Sequence, residues 1–557
     1  MLRAFLKDSV VYGAAGILSR GISLLLVPLY TRVLSPGDYG TTDILLAFAA
    51  LVNLTVALEV SQGVARYYPD AASAEEKGEY ASTALWFTLA AYTVFWAVAA
   101  LGARGLSGML LDSPEQARLV HVSLAAIWAG GVFYLVQNQL RWELRAMRYA
   151  IISVVMTLVT AAVSVVLVIG ARMGVAGALW GQCAGSCAGA ALGVYYARES
   201  YAHAFSREKL ARMLRFSVPL VPSSIAVFVA LYVDRFAIKE LMTLHDVGLF
   251  GVGYRVASLA GLLMLGFQGA LTPLVYTHYR SPETPGTLAR LFRWFVAFAL
   301  MVVVGLSLFA PELLRVFTTP EYVEGARVVP LLAAAVVLSG MYIFAPGLAI
   351  AKATGGMALI TTAGAVLNTV LNFLLVPRLG IVGAAAATFT SALTVFGLYM
   401  AASQRLYPVP HRWPRIAAAV LCGAAVMAVA PRLRLDPVAA VTAKAGLLAL
   451  CAALLVVAGV VEEHQRLQFV HHQMHLKLLM TGVVEEGLEL GARFAFSVEG
   501  EIVVDLSGKI PDANATSAVL NVTVTNDPLA INATRLADAD VVVFSLTSGN
   551  GITPVRT

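Results

Sequence analysis

Charged side chains stand inside segments that are otherwise Val, Leu, Ile and Ala. Arg20 lies at the middle of the first long apolar run, and Arg255 lies well inside the eighth. Arg66 and the adjacent Asp234 and Arg235 stand closer to the ends of theirs. A guanidinium keeps its charge at any physiological pH, and in an apolar medium it requires water, an acid or a phosphate. Deep acids are few: Glu59 in the second run and Asp234 in the seventh. An excess of arginine over carboxylate suits an anionic ligand, because the planar guanidinium grips phosphate oxygens in pairs. Arg20, Arg66, Arg235 and Arg255 are therefore the candidate substrate ligands. Asn368 and Asn372 in the eleventh run join them, four residues apart on one helix face, where they either bond neighbouring helices or line a sugar path. Glu59 and Asp234 are the candidate ion-coupling groups. The plainer role for Glu59 is an ion pair with Arg20 or Arg66, and for Arg235 a place among the outer headgroups.

Spacing sharpens two of these. Ser9, Gly13, Gly16, Arg20 and Ser23 recur at three- and four-residue steps, so they share one face of a helix. Thr55, Glu59, Gln62 and Arg66 do the same in the second run. Other chemistry finds no residues. There is no phosphate-binding glycine loop, no metal-ligand spacing and no nucleophile–base pair. The four cysteines sit in apolar stretches. His464, His471, His472 and His475 lie in a polar stretch that reads as a solvated linker. No catalytic residue, cofactor or metal is expected.

The elements that must position these groups are membrane helices. Of 557 residues 59% are hydrophobic and 13% charged, and the mean hydropathy is +0.78. Soluble domains carry about 25% charged residues. Fourteen apolar segments approach the length of a span, roughly 20 residues. They run 9–34, 41–65, 81–104, 117–138, 149–170, 173–197, 215–238, 246–270, 289–310, 327–350, 357–376, 380–402, 415–431 and 438–461. The net charge of +6 is concentrated in connecting loops, which argues for membrane orientation and against nucleic acid. Basic residues favour the side holding the N-terminus, so that terminus is expected in the cytoplasm.

The chain also repeats itself. Arg172-Met173-Gly174-Val175-Ala176-Gly177-Ala178 returns as Arg378-Leu379-Gly380-Ile381-Val382-Gly383-Ala384. Ser35-Pro36-Gly37-Asp38-Tyr39-Gly40 has a fainter echo in Thr243-Leu244-His245-Asp246-Val247-Gly248. Two similar bundles in one chain are how many transporters build a site at the repeat interface. The expected architecture is an all-α polytopic membrane protein. Residues 1–208 and 209–405 form two pseudo-symmetric six-helix lobes, and 406–461 an added hairpin. Residues 462–557 form a small soluble tail with alternating strand-like runs at 501–506, 518–524 and 540–546.

These features resemble the Wzx-type polysaccharide flippases of the multidrug/oligosaccharidyl-lipid/polysaccharide exporter superfamily. The carriers are Gly13-Ala14-Ala15-Gly16-Ile17-Leu18-Ser19-Arg20, the turn Leu34-Ser35-Pro36-Gly37-Asp38-Tyr39-Gly40, and the turns at Gly174–Gly177 and Gly380–Gly383. The resemblance covers roughly residues 1–461. It implies two lobes around a V-shaped cavity, alternating access, and a location in the bacterial inner membrane. The implied cargo is an undecaprenyl-diphosphate-linked oligosaccharide, a precursor of O-antigen, capsule or exopolysaccharide. Membrane lipids, a polysaccharide polymerase and export machinery are the implied partners. Fragments of the tail at 503–508 and 518–526 resemble repeats of secreted bacterial β domains, although the predicted topology leaves the tail in the cytoplasm.

Three other functions compete. An ion-coupled multidrug or cation antiporter of the same fold would favour cavity acids over arginines. A membrane polymerase or ligase would need a long external loop carrying His or Arg, and the connection 311–327 has no such constellation. A structural scaffold is the last.

Overall fold

The computed structural model describes residues 26–429, apart from position 203 and a scatter of positions between 265 and 278. It also describes 437–457, isolated positions of 16–22, and five strand segments between 494 and 548. The chain divides into two units, Met1–Val461 and Glu462–Thr557.

The first unit is helical. Pro36–Thr55 (α1) begins with a capping box. Ser35 Oγ accepts from the Asp38 amide at 3.2 Å, Asp38 Oδ2 accepts from the Ser35 amide at 3.1 Å, and Pro36 occupies the first turn. Together these satisfy backbone donors that a helix start leaves open. The chain then breaks at Leu58 and Glu59, both left-handed, with φ of 49° and 52°. It resumes as Val60–Tyr67 (α2), bent by 44° from α1. Ala74–Leu101 (α3), Ala103–Leu111 (α4), Ala117–Trp142 (α5), Ala146–Val165 (α6) and Gly174–Ala197 (α7) complete the first half. A short amphipathic helix, Arg207–Ser217 (α8), follows and packs on α2 and α3.

In the second half come Val221–Leu241 (α9), Leu244–Ser258 (α10), Thr284–Phe317 (α11), Val329–Gly340 (α12), Thr354–Leu379 (α13) and Ile381–Leu406 (α14). Trp413–Val429 (α15) and Pro437–Val457 (α16) both pack on α11, where Lys444 Nζ donates to Glu312 at 2.6 Å. The hairpins α6–α7 and α13–α14 correspond in the two halves. Each is closed by a glycine at positive φ, Gly174 at 55° and Gly380 at 61°.

Among the described residues, nine helices are long and apolar enough to cross a membrane, or ten if the bent pair α1–α2 is one span. The protein is a multi-pass membrane protein. The count falls short of the fourteen expected, for identifiable reasons. Most of the first segment lies outside the described residues. Helix α7 has the length, but Gly and Ser dilute its hydropathy; α15 runs 17 residues, and α16 adjoins residues outside those described.

The weaker echo turns out to be a contact. Helices α1 and α10 start with the same device, since Thr243 Oγ1 accepts from the Asp246 amide at 3.3 Å as Ser35 does for Asp38. Their first turns then cross. A Cβ on Gly40 would overlap the carbonyl oxygen of Leu244, and one on Gly248 would overlap that of Pro36. Gly40 and Gly248 are equivalent at the 208-residue offset, and so are Pro36 and Leu244. The two helices therefore meet across a local two-fold axis, backbone against backbone.

In the second unit, Phe494–Val498 (β1), Glu501–Ser507 (β2), Ser517–Val524 (β3), Asp527–Arg535 (β4) and Val542–Ser548 (β5) form an antiparallel meander in chain order. The expected runs at 501–506 and 518–524 fall in β2 and β3, and 542–546 falls in β5. His464, His471, His472 and His475 lie outside the described residues.

Candidate functional site

Helix α9 positions most of the polar groups. Its Asp234 and Arg235 are adjacent in sequence and so point about 100° apart. Arg235 turns toward α1 of the first half, and Asp234 toward α13 and α14 of the second.

On the first side, Arg235 Nε donates to Asp43 Oδ2 at 2.7 Å, and its Nη1 donates to the Leu231 carbonyl at 3.2 Å. The rings of Tyr232, Phe250 and Tyr254 surround the guanidinium at 5.3, 5.9 and 4.8 Å. The side chains are 6% exposed for Arg235 and 10% for Asp43, so charge and counter-charge are both withdrawn from solvent. Arg255 of α10 reaches the other oxygen, Asp43 Oδ1, at 3.7 Å, too far for a hydrogen bond. It remains 29% exposed, over the ring of Tyr39 at 5.0 Å. Two arginines of the second half thus share one carboxylate of the first. Asp43 fits because Gly251 of α10 has no side chain; a Cβ there would stand 2.9 Å from Asp43 Oδ2.

Further contacts join the two halves at this same end of the helices. Lys239 of α9 donates to Asp112 Oδ1 at 2.6 Å and to the Met109 carbonyl at 3.0 Å. Tyr322 OH donates to the Leu34 carbonyl at 2.8 Å, and Thr31 and Phe317 are in contact through Thr31 Oγ1. Each of these joins the first half to the second.

On the other side, Asp234 accepts from Asn372 Nδ2 at 3.2 Å and from Thr388 Oγ1 at 2.9 Å. Asn368 stands beside them, donating to the Ala230 carbonyl at 3.5 Å. Asn372 Oδ1 is buried without a donor. The result is a buried carboxylate on α9 held by an amide of α13 and a hydroxyl of α14. Glu59 lies apart from both clusters, at the left-handed break between α1 and α2. It accepts from Ser224 of α9 at 2.8 Å, another link between halves.

The sequence candidates therefore divide. Arg235 and Arg255 come together, as do Asp234, Asn368 and Asn372. Arg66 joins neither group: it is 53% exposed and pairs with Asp70 one turn along. Its expected alignment with Glu59 assumed a continuous helix, and the break at Leu58–Glu59 rotates the two apart. Among the described residues Glu59 makes no ion pair, and Arg20 lies outside them. Asp43, Lys239 and Thr388 are the participants that the sequence reading passed over; the spacing of Ser224 places it on one helix face with Arg235. Asp43 did carry a signal, a carboxylate inside the second apolar run, but near enough to its start to pass for a boundary residue.

Residues 5–277 match the model of a family described as polysaccharide biosynthesis protein. Over that stretch the chain is similar to this family. The match spans the first half and the helices α8 to α10, including both partners of the Asp43 cluster. The fold of this chain has solved counterparts. One is the lipid II flippase MurJ in an inward closed conformation, with TM-score 0.62 and 13% identity, covering 81% of this chain and 98% of that one. Another is an inward-facing multidrug resistance MATE family transporter of the MOP superfamily, with TM-score 0.58 and 17% identity, covering 72% and 98%. An outward-facing transporter of that family gives TM-score 0.52 and 16% identity, covering 74% and 96%. At these identities the likeness concerns the fold. No curated protein matches the sequence.

Proposed function

We propose that this protein flips an undecaprenyl-diphosphate-linked oligosaccharide across the bacterial inner membrane by alternating access between two six-helix lobes. The observation that carries the reading is the pair of arginines, Arg235 and Arg255, set against a single acid at the junction of the repeats, in a chain whose residues 5–277 match the polysaccharide biosynthesis model. A net positive site at a repeat junction suits a diphosphate. Arg255, the more exposed of the two, is the direct ligand, with Arg20 as its partner from the first half; Arg235 holds the junction together. Asp234, with Asn368, Asn372 and Thr388, is the coupling site, loading a proton or monovalent cation as the lobes exchange states. The N-terminus lies in the cytoplasm, which makes the end holding Arg235 and Arg255 the outer one. The glycan is a precursor of O-antigen, capsule or exopolysaccharide, handed to a polymerase and export machinery.

A deletion strain should accumulate the lipid-linked oligosaccharide on the inner leaflet. The wild-type gene should clear it, and Arg255→Ala should not, at equal membrane abundance. Full clearance by Arg255→Ala would remove Arg255 from the cargo path. The buried carboxylates Asp234 and Glu59 favour a second reading, an ion-coupled multidrug or cation antiporter. Ion-driven efflux of a cationic dye, with unchanged surface polysaccharide in the deletion strain, would select it.

A further inference from the structure

Asp43 holds the two arginines unequally. Arg235 donates a charge-assisted hydrogen bond to Asp43 at 2.7 Å and is enclosed by three aromatic rings. Arg255 receives only a distant attraction at 3.7 Å, and almost a third of its side chain is open. The trio carries one net positive charge, so a further anion at Arg255 meets attraction. The acid comes from the first half, on α1, while both arginines come from the second, on α9 and α10. Asp43 is seated only while α1 lies against α10, because its carboxylate rests on Gly251 and α1 is held there by the Gly40 and Gly248 crossing.

We propose that Asp43 is an exchange group: it occupies Arg255 while this end is shut and cedes it to a diphosphate when the end opens. Separation of α1 from α10 removes the acid and leaves two arginines together on the second half, so the affinity of this site for an anion rises with opening. A diphosphate outcompetes a carboxylate at an exposed guanidinium, since it offers more charge and more oxygens for paired hydrogen bonds. Closure returns Asp43 to Gly251, where it is covalently tethered and locally concentrated, and it displaces the anion. By reciprocity, diphosphate binding favours the open end and Asp43 favours the shut one. The residue therefore sets release as well as closure. This inference rests on the reading of the cargo as an anion bound at Arg255.

The test is the affinity of the purified full-length protein in nanodiscs for inorganic diphosphate and for farnesyl diphosphate, measured calorimetrically. Arg255→Gln should weaken binding about tenfold or more. Asp43→Asn should tighten it about tenfold, and the gain should vanish when Arg255→Gln is added, the non-additivity that direct competition requires. Gly251→Ala gives an independent arm, because it crowds the Asp43 carboxylate out of its seat while keeping every charge, and it too should tighten binding. Asp43→Glu should stay within about twofold of the wild type. Tighter binding of farnesyl diphosphate assigns the site to a lipid headgroup, and tighter binding of inorganic diphosphate assigns it to a free anion; the exchange stands with either. If Arg255→Gln loses binding but neither Asp43→Asn nor Gly251→Ala tightens it, the exchange is wrong and the anion site survives. An Arg255→Gln protein that binds diphosphate as the wild type does overturns both.

Discussion

Helices α1 and α10 are two copies of one design that have been given different work. Both open on a hydroxyl cap with Asp three residues on, and both place a glycine where the other's backbone crosses. Seven residues into each the copies part. Asp43 in α1 corresponds to Gly251 in α10, and Ala47 corresponds to Arg255. One copy supplies the acid, and the other supplies the base and the space for the acid. The crossing is common to both helices, and the differences at Asp43/Gly251 and Ala47/Arg255 give it a charge. Neither half holds the cluster alone, so the chemistry belongs to the interface.

The comparison can be broken most severely at the acid. Asp43→Ala leaves Arg235 buried without its counter-charge and should destabilise the protein by about 3–5 kcal/mol, read as unfolding in detergent by heat or denaturant. A loss below about 1 kcal/mol would mean that the arginine finds water or another partner. The crossing itself comes next. Gly248→Val should cost about 1–3 kcal/mol through overpacking, and Gly40→Val should match it within about 0.5 kcal/mol, the additivity limit for independent measurements. Unequal losses would show that the two-fold relation is only approximate in energy. Lys239→Met tests an asymmetric link. Because Asp112 is mostly exposed, the loss should be about 1 kcal/mol. Arg66→Ala should be smallest, under about 0.5 kcal/mol, with transport at the wild-type level, since its partner is an exposed neighbour on the same turn. A transport defect there would return Arg66 to the cargo path.

The helical segments were legible because hydropathy over about 20 residues is a strong, local signal. Both glycine echoes were legible as turns or starts, since positive φ and close approach restrict the residue type whatever the surroundings. Pairing was not. Arg235 and Asp43 are 192 residues apart, and nothing in either segment names the other. Arg66 was misplaced by a helical wheel drawn through Leu58 and Glu59, two residues that carry no sequence mark of a left-handed break. Asn368 and Asn372 were recognised by their i, i+4 spacing, while their carboxylate partner on α9 became visible only with the packing of α13 against it.

The crossing of Gly40 and Gly248 has one more consequence. Its contacts are main chain on main chain, so no long side chain is frozen each time the helices meet. Ordering a flexible side chain costs up to about 2 kcal/mol, and under the alternating access proposed above that cost would recur in every cycle. A seam made of glycine and carbonyl groups avoids it. Under that proposed cycle the two surfaces would arrive at each closure already in their final shape, with no rotamer search to slow them.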